Sequence, residues 1–122
     1  MNDDIARALE WDCTIDIITM RRKTGRPRRT EIWFHNIEGR LYITGTPGRR
    51  DWYANLLAHP EFTFCLKESV RAGFSVTARP IPDDAQHREI FAKIHRKLEA
   101  TRDLDAWVAG SPLVEVMLES RA

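Results

Sequence analysis

Two clusters of basic residues in this chain have the composition of an anion-binding site. The first is the run Arg-Arg-Lys-Thr-Gly-Arg-Pro-Arg-Arg from residue 21 to residue 29, and the second lies around residues 46–50. Guanidinium, ammonium and hydroxyl groups, with backbone N–H groups near a glycine, can donate hydrogen bonds to several oxygens of one phosphate or carboxylate. The candidate binding residues are Arg22, Lys23, Thr24 and Arg28 in the first cluster and Thr46, Arg49 and Arg50 in the second.

The charge of the chain is unevenly distributed. Residues 21–50 contain nine Lys or Arg and two acids, a segment charge of +7, whereas the whole chain carries only +1. Charge alone leaves two interpretations open in about equal measure. The segment either binds a phosphate-bearing ligand or forms a solvated or nucleic-acid-binding surface.

Residues that could perform chemistry unaided are sparse. The four histidines show no metal-ligand spacing and the serines lack a nucleophile motif, so the sequence predicts no metal site and identifies no catalytic residue. Five aromatic residues near the basic clusters could wall a flat heterocycle, although aromatics at such spacing usually belong to the core. They are Trp33, Phe34, Tyr42, Trp52 and Tyr53. An enzyme of this composition would need a bound cofactor to supply its reactivity.

The length and cysteine usage set the broad class. A chain of 122 residues predicts one domain, residues 1–122, with one compact core. Cys13 and Cys65 are 52 residues apart without a metal-binding motif, and we predict that both are reduced and buried. No segment has the apolar run of a signal peptide or membrane span, so we expect a soluble cytoplasmic protein.

The elements that must position the basic residues are short and mostly extended. Alternating and β-branched residues predict strands at 13–20, 30–37, 40–46, 62–66, 70–79 and 113–118. Helical spacing predicts a helix ending at Trp11, a helix over 52–58 capped by Asp51, and one from Asp83 or Asp84 to Leu98. A further short helix is predicted around 104–108. Consecutive strands favour an antiparallel barrel or half-barrel with helices at its ends.

Details of these elements follow from single residues. Glu38-Gly39 predicts a hairpin turn between the second and third strands, and Gly73 is a candidate bulge. In the longest helix, Ile90, Phe91, Ile94 and Leu98 are the predicted buried stripe.

Several motifs together resemble a known family. The run Arg22-Lys-Thr-Gly-Arg-Pro-Arg28 is followed by Thr30-Glu-Ile-Trp-Phe34, Asp51-Trp-Tyr-Ala-Asn-Leu56 and His59-Pro60. This combination is similar to the deazaflavin-dependent nitroreductase and quinone reductase family, in the flavin-binding split β-barrel superfamily that includes pyridoxamine phosphate oxidase. The likeness is detailed over residues 14–80.

The resemblance implies a mainly β (α+β) fold, a six-stranded antiparallel split β-barrel with Greek-key character flanked by short helices, usually a homodimer. It implies that the basic clusters hold the phosphate or acidic tail of a deazaflavin coenzyme (coenzyme F-420) or FMN. Thr30, Thr44 and Thr46 would lie beside the cofactor ring, and Trp52 would close the pocket.

The implied activity is hydride transfer to a small-molecule electron acceptor, such as a quinone, a nitro compound or an activated alkene. The alternative is a non-catalytic flavin-binding or carrier protein, and a nucleic-acid-binding module is less favoured. Residues 46–51 are shorter than in relatives, with Pro47 in place of the usual Lys, so Arg49 or Arg50 would supply that charge. Both cofactors therefore stay open.

Overall fold

The computed structural model describes residues 3–45, 48, 50–81, 83–98 and 104–118. The strands are β1 (Thr14–Met20), β2 (Pro27–Ile37), β3 (Arg40–Thr44), β4 (Glu61–Leu66), β5 (Ala72–Pro80) and β6 (Leu113–Leu118). The helices are α1 (Asp3–Trp11), α2 (Asp51–Ala58), α3 (Asp84–Lys97) and α4 (Leu104–Gly110). All strand pairs are antiparallel, and the neighbour order β1-β2-β3-β6-β5-β4 closes into a barrel. The predicted fold class is confirmed.

Local sequence explains how the barrel strands form. On β1, Ile15, Ile17 and Thr19 are fully buried and the residues between them face outward, as the period of two in a strand requires. The turn from β2 to β3 contains Glu38 and Gly39, both with positive φ, at 55° and 85°. Two such residues match the twist of a tight hairpin, so the turn fixes the β2–β3 register.

The barrel interior is apolar and is closed by a helix at each end. Phe34 and Phe64 meet edge to face, with ring centroids 5.4 Å apart, inside this core. Helix α1 inserts Leu9 where β1 begins, and α2 inserts Trp52 and Leu56 where β1 ends. Each end of the barrel is therefore bounded by a different helix.

A second apolar cluster joins α3 and α4 to the outside of the barrel. It contains Tyr42, Phe91 and Leu113, and Trp107 of α4 packs against it. Asp83 caps α3 by accepting hydrogen bonds from the backbone N–H groups of residues 85 and 86, as one of the two predicted caps would. This face of the barrel is therefore covered by helices.

Two predicted strand details need correction. Strand β2 begins at Pro27 rather than residue 30, because the backbone of Pro27, Arg28 and Arg29 pairs with the end of β1. Part of the basic cluster is therefore held on a strand. Gly73 pairs with Cys65 in an unbroken register, so the predicted bulge is wrong.

Three predictions about helix ends and burial also differ from the structure. Arg50 occupies the N-cap position of α2, and Asp51 is the first helical residue. Leu98 follows α3 and is 43 % exposed, because the helix has passed the edge of the apolar cluster it covers. Cys13 is exposed and Cys65 half-buried, and both are free thiols. Cys13 lies in the α1–β1 connection, outside both cores.

The longest described helix, α3, has 14 residues. None of the described helices has both the length and the hydropathy of a membrane span.

Candidate functional site

The β1–β2 turn holds the first basic cluster in a compact loop at one end of the barrel. The backbone N–H of Gly25 donates to the carbonyl of Arg21 at 2.8 Å, and the N–H of Arg21 donates to the carbonyl of Arg26 at 2.8 Å. Gly25 has φ 71°, a conformation that glycine adopts without steric cost. The Thr24 hydroxyl accepts from the N–H of Arg26 at 3.3 Å. These bonds fix the backbone from which the basic side chains extend.

A buried asparagine of α2 attaches this turn to the rest of the molecule. Asn55 is 2 % exposed, and its Oδ1 accepts hydrogen bonds from the backbone N and from Nη1 of Arg22, both at 3.1 Å. A single oxygen therefore fixes both the chain and the guanidinium of Arg22. The position of α2 sets the position of the turn.

An acidic residue at the start of α2 lies between two arginines. The Asp51 carboxylate is 3.6 Å from Nη2 of Arg22 and 3.4 Å from Nη1 of Arg28. The Asp51 side chain is 64 % exposed, so the interaction is screened by solvent. Because one carboxylate reaches both guanidinium groups, a ligand oxyanion of similar size can bridge them too.

These residues line an open cavity of about 220 Å³. Four of its side chains are cationic and one is acidic, which gives the described lining a formal charge of +3. The lining contains the four residues proposed from the first basic cluster. The lining residues are Arg21, Arg22, Lys23, Thr24, Arg28, Asp51 and Asn55. The donor set fits a phosphate or polycarboxylate, and we call this cavity the basic cavity.

The other proposed site residues occupy varied positions. Thr30 is half-buried on β2, two residues after Arg28 and on the same face of the strand. Thr44 is buried at the end of β3, and its hydroxyl donates to the carbonyl oxygen of Pro112. Trp52 is 7 % exposed and packs in the barrel core. None of these three residues is part of the lining of the basic cavity.

The second basic cluster is described only in part. Thr46 and Arg49 lie outside the described residues. The side chain of Arg50 passes close to Gly45, where an added Cβ would lie 3.2 Å from the arginine Nε. Gly45 therefore leaves room for Arg50 to fold back against the end of β3. The backbone N–H of Gly48 donates to the carbonyl of Gly110 at 3.0 Å, which places Gly48 against the end of α4.

The five aromatic residues considered as walls for a heterocycle do not line the basic cavity. Phe34, Tyr42 and Trp52 are buried in the two cores, and Tyr53 packs at the edge of one. Trp33 is 51 % exposed near the opposite end of β2. The core interpretation is therefore right for most of them.

Asn55, Asp51 and Arg21 are cavity residues that sequence reasoning did not assign to the site. A signal for Asn55 was present, because it lies between Trp52 and Leu56 on the buried face of α2, where a polar residue needs a hydrogen-bond partner. Its partner could not be identified from the helix alone. Among the described residues, no group of three His, Cys, Asp or Glu side chains is placed to hold a metal ion.

Replacing Asn55 by alanine is expected to lower the free energy of unfolding by about 1–2 kcal/mol. The substitution removes the acceptor for two Arg22 donors and leaves the backbone N–H without its partner. Urea denaturation of the purified variant measures the change. Leu57→Ala is the matched control, because Leu57 is 56 % exposed on the same helix. Equal losses in both variants would contradict a specific role for the Asn55 side chain.

A family model described as F420H2-dependent quinone reductase matches residues 2–118. No significant match to the chain was found among curated proteins.

Several solved structures share the fold. A conserved hypothetical protein from Mycobacterium tuberculosis is 16% identical, with a TM-score of 0.77, and the match covers 98% of this chain and 82% of that one. A protein described as F420 reductase is 17% identical, with a TM-score of 0.75 and coverages of 98% and 97%. HutZ, a heme storage protein from Vibrio cholerae, is 15% identical, with a TM-score of 0.73 and coverages of 96% and 89%.

Proposed function

Because the chain belongs to the F420H2-dependent quinone reductase family, we propose that it reduces a small organic acceptor with hydride from a bound cofactor. The family assignment confirms the resemblance found in the sequence, and coenzyme F-420 or FMN is the cofactor. The acceptor class we propose is a quinone, a nitro compound or an activated alkene. We also propose that the protein is cytoplasmic and that two single-domain chains form a homodimer.

One observation supports this proposal most directly. Four residues of the first basic cluster line one cavity with a formal charge of +3: Arg22, Lys23, Thr24 and Arg28. These side chains would bind the phosphate or acidic tail of the cofactor and so fix its position on the barrel. The cofactor supplies the hydride chemistry when it is bound. The chain's own residues contribute binding and orientation, since no His or Cys is found among the described residues that line the cavity.

The reduction of a quinone tests the proposed activity. Purified protein is mixed with reduced coenzyme F-420 and menadione, and the return of the oxidised coenzyme's absorbance is followed. We expect turnover that depends on protein concentration, and FMN with a chemical reductant is tested in parallel. The proposal would be contradicted if neither cofactor binds at about millimolar concentration, where even a weak binding free energy of about −4 kcal/mol would be detected.

A carrier function is the second candidate. HutZ is described as a heme storage protein and shares this fold, so the barrel is compatible with storage as well as catalysis. A carrier would bind the cofactor with high affinity and give no turnover with any of the three acceptor classes. Binding and turnover must therefore be measured on the same preparation.

A further inference from the structure

A second cavity lies at the end of the barrel opposite the basic cavity, and the proposed function does not use it. Its volume is about 410 Å³, within the roughly 300–1,000 Å³ typical of small-molecule sites. Strand β2 runs between the two cavities, since Arg28 lines the first and Asn36 lines the second. Eight residues of extended chain separate them by about 26 Å.

Aromatic rings line this second cavity. Trp11, which ends α1, is 74 % exposed, and Trp33 on β2 is 51 % exposed. Phe34 also contributes to the lining. Neither tryptophan belongs to an apolar core, so core packing does not explain why these large side chains are present. The face of an indole ring carries negative potential and attracts organic cations.

The charge of this cavity is opposite to that of the basic cavity. Among the described lining residues, Glu10, Asp12 and Glu38 are acidic and Lys97 is basic, a formal charge of −2 against +3 at the other end. An anionic ligand is therefore disfavoured at this end and a cationic ligand favoured.

Most of these charged groups already have partners. The Asp12 carboxylate accepts from the Ser69 hydroxyl, and Lys97 Nζ donates to the carbonyl of Asn36. Glu38 pairs with Lys93 at 3.2 Å. Glu10 forms no ion pair with another described residue. Its carboxylate is the acid best placed to accept a new cation.

A buried histidine supplies a polar group in the wall. His35 is 8 % exposed and lines the cavity, and no hydrogen bond joins its ring to another described residue. Burial, together with the charges of Lys97 and His95, lowers its pKa to about 4. At neutral pH the ring is therefore uncharged and adds no positive charge to the cavity.

We infer that this second cavity binds a protonated aromatic amine. The aromatic ring of the ligand would pack against Trp11 and Trp33, and its ammonium group would be held by the carboxylate of Glu10. The combination selects for both features, because the indoles favour a flat apolar body and the carboxylate favours a positive charge. A second copy of the chain covering the two tryptophans is the rival occupant.

Titration with phenethylammonium tests the inference on the full chain. Two-dimensional NMR of the tryptophan indole N–H groups follows the binding, which we expect to saturate at millimolar concentration. Trp33→Ala should weaken binding about 5-fold and Glu10→Gln about 3-fold, the effects of losing an aromatic packing contact and an exposed ion pair. Glu61→Gln, at the exposed start of β4 near the other end of the barrel, should leave binding unchanged.

Three results would overturn the inference. One is the absence of saturable shifts at the Trp11 and Trp33 indoles. Another is equal affinity for 2-phenylethanol, which has the same ring and chain length without the charge. The third is a dimer in sedimentation that Trp33→Ala dissociates, because a second copy of the chain would then occupy the surface. None of these outcomes depends on cofactor binding at the basic cavity, so the proposed function can stand or fall separately.

Discussion

Replacing Arg28 by alanine is expected to weaken the binding of coenzyme F-420 about 30-fold. Arg28 extends from the start of β2 into the basic cavity, where its guanidinium is 3.4 Å from the Asp51 carboxylate. A charge-assisted hydrogen bond to an oxyanion contributes about 1.5–3 kcal/mol, and 1.4 kcal/mol corresponds to a tenfold change in Kd. Fluorescence titration of the coenzyme with wild-type and variant protein measures the change.

The neighbouring residue provides a matched control for this prediction. Arg29 follows Arg28 on the same strand, faces the opposite side, and pairs with Asp16 at 3.2 Å. Arg29→Ala removes the same charge from the chain and should change Kd by less than about 3-fold, because it lies on the outer face and is screened by solvent.

A second variant should change affinity in the opposite direction. Asp51→Asn removes the carboxylate that lies between Arg22 and Arg28, and with it a competitor for both guanidinium groups. We expect the Kd of the cofactor to fall about 3-fold, because the carboxylate that is removed is exposed and screened by solvent.

Equal weakening by Arg28→Ala and Arg29→Ala would show that only the overall charge of the segment matters. That result would remove the basis for placing the cofactor in the basic cavity.

The free energy of unfolding is expected to fall by about 2 kcal/mol between pH 7 and pH 5 because of His35. The pKa of this buried side chain is lowered to about 4, mainly by burial and further by the charges of Lys97 and His95. In the unfolded chain its pKa is near 6.5, so between these values the unfolded state binds a proton that the folded state does not. The contribution to stability is complete above about pH 6.5 and is lost as the pH falls towards 4.

Urea denaturation at several pH values measures this dependence. His35→Leu replaces the imidazole with an apolar side chain that does not titrate, and it should reduce the loss of stability between pH 7 and pH 5 by about 2 kcal/mol. His59→Gln is the matched control, since His59 is exposed at the C-terminal end of α2. An unchanged pH dependence in His35→Leu would show that other groups are responsible.

Local patterns in the sequence predict most of the fold. Alternating burial on β1 and the Glu38-Gly39 turn depend on residues next to one another, so they can be recognised without knowledge of the rest of the chain. The predictions fail where a distant contact decides. Cys13 was expected to be buried, but it lies in the connection between α1 and β1, where Glu68 of the β4–β5 turn binds its backbone N–H.

The sequence by itself determined that positive charge is concentrated around a turn at residues 21–29, since charge and turn residues are local properties. Only the tertiary structure decided which residues complete the site. Closure of the barrel brings α2 against the β1–β2 turn, so Asn55 and Asp51 reach Arg22 across about thirty residues of chain. The same closure places Trp52 in the core and binds the Thr44 hydroxyl to Pro112. Such contacts depend on how strands distant in sequence pair, which no short segment specifies.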